Sequence, residues 1–387
     1  MKAVISGIGI ISAAGLNLEQ NLDTIKKGKR NAGAVTVFPT ALSYPVFEVK
    51  SLPDICGKEE MRTQTLAFAA LKEALNSAGL QAPLSGFKTG VCLGTTVASQ
   101  LNDIAFYTSF RKSGCADLKS VDLFLKGNLA ESVSRSVNAS GPSVTVVNAC
   151  SSGTDAVGIS LSWLKSGICD IAITGGADEI NRVPLCGFGS LGILSNSLCA
   201  PFDKNRTGLN LGEGAGILII EREDFFIKRG GKPSLYLAGY GSSADAYHLT
   251  APRPDGAGLE AAVREALSDA GASPADICFV NAHGTGTSDN DKVEGSVLSR
   301  VFGGKIKFLS TKGYTGHTLG GAGGIEGVYT AAGLKEGWIP SSAGFEYRDD
   351  DIPITPVTEN TGVKGAFALS TSLAFGGNNS AIVIEKT

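Results

Sequence analysis

The sequence predicts an α/β protein made of two related halves. Three observations carry that expectation: a helix-and-strand unit that occurs twice, strands that read as continuous apolar runs, and 51 glycines in 387 residues. Leu71-Lys72-Glu73-Ala74-Leu75-Asn76-Ser77-Ala78-Gly79 is echoed by Val263-Arg264-Glu265-Ala266-Leu267-Ser268-Asp269-Ala270-Gly271. Each reads as an amphipathic helix stopped by a glycine just past its end. Apolar strands alternating with helices predict parallel-rich sheets covered on both faces. Glycine stands at about twice its average usage with no collagen-like period, so a folded chain with many tight turns is expected.

In chain order, the opening Met1-Lys2-Ala3-Val4-Ile5-Ser6-Gly7-Ile8-Gly9 carries a lysine and an apolar stretch, as a signal peptide does. Its β-branched residues and glycines instead favour a buried strand ending in a turn. The first repeated helix leads to the strand Gly90-Val91-Cys92-Leu93-Gly94-Thr95, the second to Cys278-Phe279-Val280-Asn281-Ala282-His283-Gly284-Thr285. Residues 97–140 have no clear counterpart and read as an insertion, a lid or a dimer contact. Val144-Thr145-Val146-Val147 reads as a buried strand running into Cys150 and a helix to about Lys165; its counterpart Ile306-Lys307-Phe308-Leu309 runs toward Lys312 and His317. Ile171–Gly176 answers Phe367–Ser370, and Gly216–Ile220 answers Ala381–Ile384. The halves divide at the Lys228–Lys232 turn, giving 1–230 and 231–387.

The bulk numbers narrow the function. A formal charge of −3 with no long basic run disfavours nucleic acid. The compact basic cluster Lys26, Lys27, Lys29 and Arg30 is open between a solvated helix end and a docking site. Cysteines at 56, 92, 115, 150, 169, 186, 199 and 278 show neither CxxC spacing nor a Cys/His grouping, so no metal site is expected. Such scattered thiols suit a reducing, cytoplasmic setting. No apolar run reaches the roughly 20 residues needed to span a membrane.

Chemistry at neutral pH has three histidines to draw on: His248, His283 and His317. Cys150 falls in Asn148-Ala149-Cys150-Ser151-Ser152-Gly153, between strand and helix, where unpaired N–H groups and the helix dipole favour a thiolate. On this segment alone a buried structural cysteine stays equally open. His283 sits just past a strand in a glycine turn. His317 follows Lys312 by five residues and precedes Leu319-Gly320-Gly321-Ala322-Gly323-Gly324. The P-loop order GxxxxGK[ST] is absent, and Gly212, Gly214 and Gly216 do not open a dinucleotide-binding helix. Glycines beside Cys150, His283 and His317 are expected to wall one site.

These segments resemble the β-ketoacyl-acyl carrier protein synthases, condensing enzymes of the thiolase superfamily. The likeness extends over Pro201–Arg206, Leu211–Gly216, Ser243–His248 and Ala374–Asn379, and two histidines favour the elongating, Cys-His-His branch. The resemblance implies a five-layered αβαβα core of duplicated halves and a ping-pong decarboxylative condensation with no resident cofactor. The phosphopantetheine arm arrives on acyl carrier protein. It further implies that Cys150 is the acyl acceptor, that His283 and His317 stabilise the enolate from a malonyl thioester, and that Lys312 orients the site. The backbone N–H groups of Cys150 and Phe375 would form the oxyanion hole, Glu326 would support the loop that holds Lys312, Asp291 would serve as packing or dimer support, and Thr285 and Thr287 would contact pantetheine. A homodimer, or a heterodimer with a related subunit, is implied too. His248 and Glu294 are read as structural.

Four departures bear on acyl specificity: Leu373 and Ala374 before Phe375, where Phe and Gly are common, Asn378 for a common Thr, and Asn148 for Thr or Ser. They suit a polyene or polyketide-type pathway as well as fatty-acid elongation. Two alternatives share the fold: a non-catalytic chain-length-factor subunit, against which Cys150, His283, His317 and Lys312 speak, and a thiolase, which needs a second cysteine beyond Cys278.

Overall fold

The computed structural model describes residues 1–52, 61–96 and 104–387. Cys56 and the first part of the 97–140 insertion lie outside them. The first half runs β1 (Ala3–Ser12), α1 (Leu18–Lys26), α2 (Arg62–Ala78), β2 (Thr89–Gly94), α3 (Ile104–Ser113), α4 (Lys119–Lys126), α5 (Leu129–Val137) and β3 (Ser143–Val146). It continues through α6 (Ser152–Lys165), β4 (Ile171–Asp178), α7 (Arg182–Ser190), β5 (Gly214–Arg222) and α8 (Glu223–Lys228). The second half comprises β6 (Leu235–Ala244), α9 (Ala257–Ala270), β7 (Ile277–Asn281), α10 (Ser288–Phe302), β8 (Phe308–Leu309) and α11 (Lys312–Thr315). After these come α12 (Ala322–Glu336), β9 (Trp338–Ile339), β10 (Thr361–Gly362), β11 (Phe367–Ala374) and β12 (Asn378–Lys386).

Ten of these strands form one sheet in the order β3-β2-β4-β5-β1-β6-β12-β11-β7-β8. Outward from the centre, β1-β5-β4-β2-β3 and β6-β12-β11-β7-β8 are the same order twice, joined where Ala3 and Val4 pair with Leu237 and Tyr236. The sheet is mixed rather than parallel-rich. β2 runs parallel to β3 and β4, and β7 to β8 and β11, but the central strands are antiparallel. The apolar runs behave as buried strands in either direction, because cover on both faces, not strand direction, makes a strand uniformly apolar.

The repeated helix does the same work twice. Gly7 and Gly9 of β1 let α2 approach so closely that a Cβ there would lie 2.2 Å from the Ala74 carbonyl oxygen and 2.0 Å from that of Ala70. Gly239 and Gly241 of β6 stand the same way against Ala266 and Ala262 of α9. Between and just after those glycines, strand N–H groups left out of the ladder are taken by helix side chains. Ile8 donates to Ser77 and Ile10 to Glu73; Tyr240 donates to Asp269 and Ser242 to Glu265. The repeated Glu and Ser/Asp positions exist because each strand departs from its ladder at the same place and needs an acceptor.

α2 and α9 cover the outside, while α6 and α12 lie between the two halves of the sheet, giving the five-layered αβαβα arrangement. Every residue of α12 from Ala322 to Leu334 is buried, as a helix without a polar face must be. Glycine permits this packing: a Cβ on Gly216 would lie 2.3 Å from the carbonyl carbon of Gly324. The glycines that line the Cys150 cavity are Gly192 and Gly208, not those beside Cys150, His283 and His317 as expected.

Three expectations change. β3 is an edge strand and not a buried one, with Val144 39% and Val147, just past its end, 60% exposed, because among the described residues only β2 pairs with it. The insertion shrinks as well. α5 fills the crossover between β2 and β3 that α10 fills between β7 and β8, so α3 and α4 are the added part. The basic cluster is dispersed: Lys26 lies over Trp338, Lys27 pairs with Asp23, and Arg30 turns inward to the carbonyls of Gly313 and Cys199.

Candidate active site

Cys150, His283 and His317 meet in one cavity of about 400 Å³, although they come from a helix start, the loop after β7 and the loop after α11, far apart in sequence. β3 ends in a turn at Asn148 and Ala149, and α6 begins at Ser152 with Ser151 as its cap. Ala149 has φ +50°, a left-handed conformation costing a non-glycine residue about 1–2 kcal/mol, and this kink presents Cys150 to the cavity.

The helix start does not make Cys150 a thiolate. Burial, with 5% of the residue exposed, pushes the thiol up to about 11; the Lys312 charge and the Phe375 backbone N–H, aimed at the sulfur, oppose this without winning. A dipole contribution of about 0.3–1 kcal/mol is too small to offset desolvation of an anion in a closed cavity.

The imidazoles are arranged alike. His317 Nε2 stands 3.1 Å from Cys150 Sγ, and its Nδ1 accepts from the Leu319 N–H at 3.3 Å. His283 Nδ1 accepts from Lys312 Nζ at 3.0 Å. With both Nδ1 atoms accepting, the hydrogen of each neutral ring sits on Nε2, and the rings meet edge to face with centroids 5.2 Å apart. Burial, reinforced by the Lys312 charge, holds both well below their ordinary 6.5, so they are neutral donors at physiological pH. Lys312 spends its remaining hydrogens on the His283 carbonyl, at 2.7 Å, and on Glu326 Oε1. Burial lifts Glu326 to about 7 against the pull of that ammonium.

The other expected residues fall around this centre. Thr285 and Thr287 line the cavity with their hydroxyls 2.8 Å apart. Asp291, fully buried, accepts from the backbone N–H groups of Phe202 and Gly286, tying two loops together. Glu294 accepts from the N–H groups of His283 and Gly284 and from Thr371, and so holds the histidine turn. His248 is exposed, with Nδ1 capping a turn by accepting from Thr250 and Ala251, and it does not line the cavity. Among the described residues no group of His, Cys, Asp and Glu could hold a metal ion.

Among the cavity residues to which sequence reasoning assigned no role, Phe188 and Arg206 make contacts that bear on the site. Phe188 of α7 stacks on Phe375 with centroids 5.5 Å apart, and its flanking Gly187 and Gly189 were the available signal. The Arg206 side chain is 4% exposed and reaches Asp349 and the Ser288 carbonyl at the cavity wall.

Models of two known domains cover most of the chain: the β-ketoacyl synthase N-terminal domain over residues 2–225 and its C-terminal domain over residues 236–346. The chain is 31% identical over 409 residues to the 3-oxoacyl-(acyl-carrier-protein) synthase 2 of Staphylococcus aureus (strain MRSA252), covering 100% of this chain and 98% of that one. Among solved structures, the ishigamide ketosynthase/chain length factor matches with a TM-score of 0.93 at 29% identity, covering 100% of this chain and 99% of that one. The AntDE:AntF complex, a type II PKS acyl-carrier protein with its ketosynthase bound to the hexaketide, matches at 0.91 and 25% identity, covering 100% and 99%. No helix among the described residues is long and apolar enough to cross a membrane. A duplicated fold around one Cys-His-His cavity, matched along its length by these domains and relatives, belongs to the β-ketoacyl synthase family, condensing acyltransferases with the thiolase-like fold.

Proposed function

We propose that the protein is a 3-oxoacyl-acyl carrier protein synthase that takes an acyl chain onto Cys150 and extends it by decarboxylative condensation with malonyl-acyl carrier protein. The observation that carries this reading is the convergence of two Nε2–H donors on one cavity with the Cys150 thiol. In the first step the Cys150 S–C bond forms, the carrier's S–C bond breaks, and the thiol proton leaves on the released phosphopantetheine thiol. The exchange is neutral in charge, so a thiol held near 11 can take part. The N–H groups of Cys150 and Phe375 receive the developing oxyanion.

A malonyl thioester then enters. Loss of carbon dioxide leaves its bonding pair as an enolate, whose oxygen accepts from His283 and His317 Nε2–H. The enolate carbon attacks the acyl carbonyl, and collapse of the adduct expels the Cys150 thiolate, which takes from solvent water the one proton that the overall reaction consumes. Lys312 and Glu326 keep His283 in its donor tautomer, Asp291 braces the Gly286 turn, and Thr285 and Thr287 line the path of the pantetheine arm. No resident cofactor is required. Division at 230/231 then assigns the thiol to one half and both imidazoles to the other.

The carrier protein is the proposed substrate partner, in keeping with the AntF complex. A second chain, identical or of the chain-length-factor type, is the proposed structural partner, supported by the exposed Val144 on the edge strand, Val147 just past it, and Tyr107 and Phe110 of α3. The reaction suits fatty-acid or polyene/polyketide-type biosynthesis in the cytoplasm. A purely structural chain-length-factor role has the neighbours' company in its favour but leaves this Cys-His-His-Lys set without a purpose. Mass spectrometry after incubation with acyl-acyl carrier protein decides: an acyl adduct on Cys150, absent in Cys150→Ala, is expected, and an unmodified Cys150 overturns the reading.

A further inference from the structure

We infer that Tyr240, Asp155 and Asn148 form a positioning clamp across the two halves that holds the Ala149 turn and thereby aims the Cys150 thiol. The clamp is a chain of hydrogen bonds through one carboxylate. The Tyr240 hydroxyl, on β6 of the second half, donates to Asp155 Oδ1 at 2.9 Å. Asp155 Oδ2, on α6, accepts from Asn148 Nδ2 at 2.6 Å and from Ser151 Oγ at 2.7 Å. Asn148 and Ser151 bracket Ala149 and Cys150, so both sides of the left-handed turn hang from a single side chain. The backbone is tied within the same loop: the Asn148 N–H donates to Ser152 Oγ at 2.7 Å, and Ser152 Oγ donates to the Ala149 carbonyl at 2.6 Å.

The route from Tyr240 to Asp155 is built into the packing. A Cβ on Gly158, one helical turn beyond Asp155, would lie 2.4 Å from the Tyr240 ring, so the tyrosine reaches the carboxylate only because α6 has a glycine there. The duplication supplies a comparison. Tyr240 stands between Gly239 and Gly241 as Ile8 stands between Gly7 and Gly9, yet the first half places a plain hydrocarbon at this register. A hydroxyl appears only in the copy that faces the nucleophile's own helix. A strained turn persists where its surroundings over-determine it. Once loosened, Ala149 can relax and carry the sulfur away from the two donors that favour its anion, His317 Nε2–H and the Phe375 N–H.

The inference rests on the acyl-acceptor role proposed for Cys150, and the test separates the two. Tyr240→Phe removes one oxygen from a partly exposed ring, Asn148→Ala removes the other end, and the double variant completes a cycle. Iodoacetamide labelling of Cys150, followed peptide by peptide, needs no carrier protein, and the exposed Cys115 and Cys186 serve as references in the same molecule. Each single variant is expected to slow Cys150 labelling about tenfold, in line with the sensitivity of reactivity to small misplacements, with the references unchanged. The double variant is expected to be no slower than the worse single, because both act through Asp155. Wild-type labelling of Cys150 in Tyr240→Phe, additive losses, or a parallel change at the reference cysteines overturns the clamp. Labelling that behaves as expected in a protein that takes no acyl group from a carrier thioester overturns the acyl-acceptor role and leaves the clamp standing.

Discussion

Lys312 Nζ donates to Nδ1 of His283 at 3.0 Å, and this contact decides which nitrogen of the imidazole carries its hydrogen. Burial depresses His283 and His317 and the same ammonium adds to it by its charge, so one lysine sets the tautomer of one ring and reinforces the neutrality of two.

Lys312→Met is therefore expected to cut malonyl decarboxylation and condensation by about 10²–10³-fold, the scale of losing a preorganised donor. Acyl transfer to Cys150 should suffer less. The acid limb of the activity profile should move to higher pH, since removing the lysine charge raises both imidazoles. Carbon dioxide release, acyl adduct formation and a pH profile measured side by side check this; equal losses in both half-reactions would count against it.

Stability should fall in acid through the same rings. Each imidazole folds with its pKa well below the ordinary 6.5, so the unfolded chain binds more protons once the pH drops through 6.5. Their contribution is present above 6.5 and is lost as pH falls toward the lower folded values. Melting temperatures at pH 7.5 and 5.5 should differ more in the wild type than in a His283→Gln, His317→Gln double variant; equal differences would contradict the assignment.

Phe188→Ala removes the ring stacked on Phe375, whose backbone N–H faces the Cys150 sulfur. An aromatic pair contributes about 0.5–1.5 kcal/mol, so acylation of Cys150 should slow by roughly 2- to 10-fold. Phe188→Tyr should retain most of the rate. Stopped-time mass spectrometry reads the difference, and a full-rate alanine variant would remove Phe188 from the site.

Thr285→Val and Thr287→Val each delete one of a pair of hydroxyls on the cavity wall. If the pantetheine arm lies there, losing a hydrogen bond of about 1 kcal/mol should raise KM for the carrier substrate roughly fivefold and leave kcat nearly unchanged. Steady-state kinetics distinguish this from a fall in kcat alone, which would place the arm elsewhere.

Gly324→Ala probes the middle layer. Its Cβ would lie 2.4 Å from the Gly216 carbonyl oxygen and 2.5 Å from the Gly176 N–H nitrogen, backbone atoms with no rotamer to retreat into. A loss of about 2 kcal/mol or more is expected in chemical denaturation, and an unchanged midpoint would mean that the halves can part without cost.

The duplicated α/β plan was readable because it is written in local periodicity: two matched helices with Glu73 and Glu265 at the same place, each ended by a glycine. Cys150, His283, Lys312 and His317 stood out for a similar reason, since Cys150 and His283 lie in small-residue turns just beyond β3 and β7, while Lys312 opens the short helix α11 and His317 follows it among glycines, and such segments leave a trace in a few adjacent letters. Strand direction did not, because a strand covered on both faces reads alike whichever way its neighbour runs. β3 misled for that reason: four apolar-rich residues describe an edge strand as well as a central one.

Tertiary structure alone decided how the site works. The contacts that matter join residues far apart in the chain: Lys312 Nζ with His283 Nδ1, His317 Nε2 with Cys150 Sγ, Phe188 with Phe375 and Tyr240 with Asp155. Residue types and spacing name candidates for these pairs but say nothing of depth. Depth reversed one expectation, because burial raises Cys150 where the helix start was expected to lower it. The sequence by itself determined which side chains would stand in the small-residue segments that follow the strands. Their tautomers, their charges and their aim were settled by what the fold packs around them, since desolvation and hydrogen bonding depend on three-dimensional surroundings that no local run of residues contains.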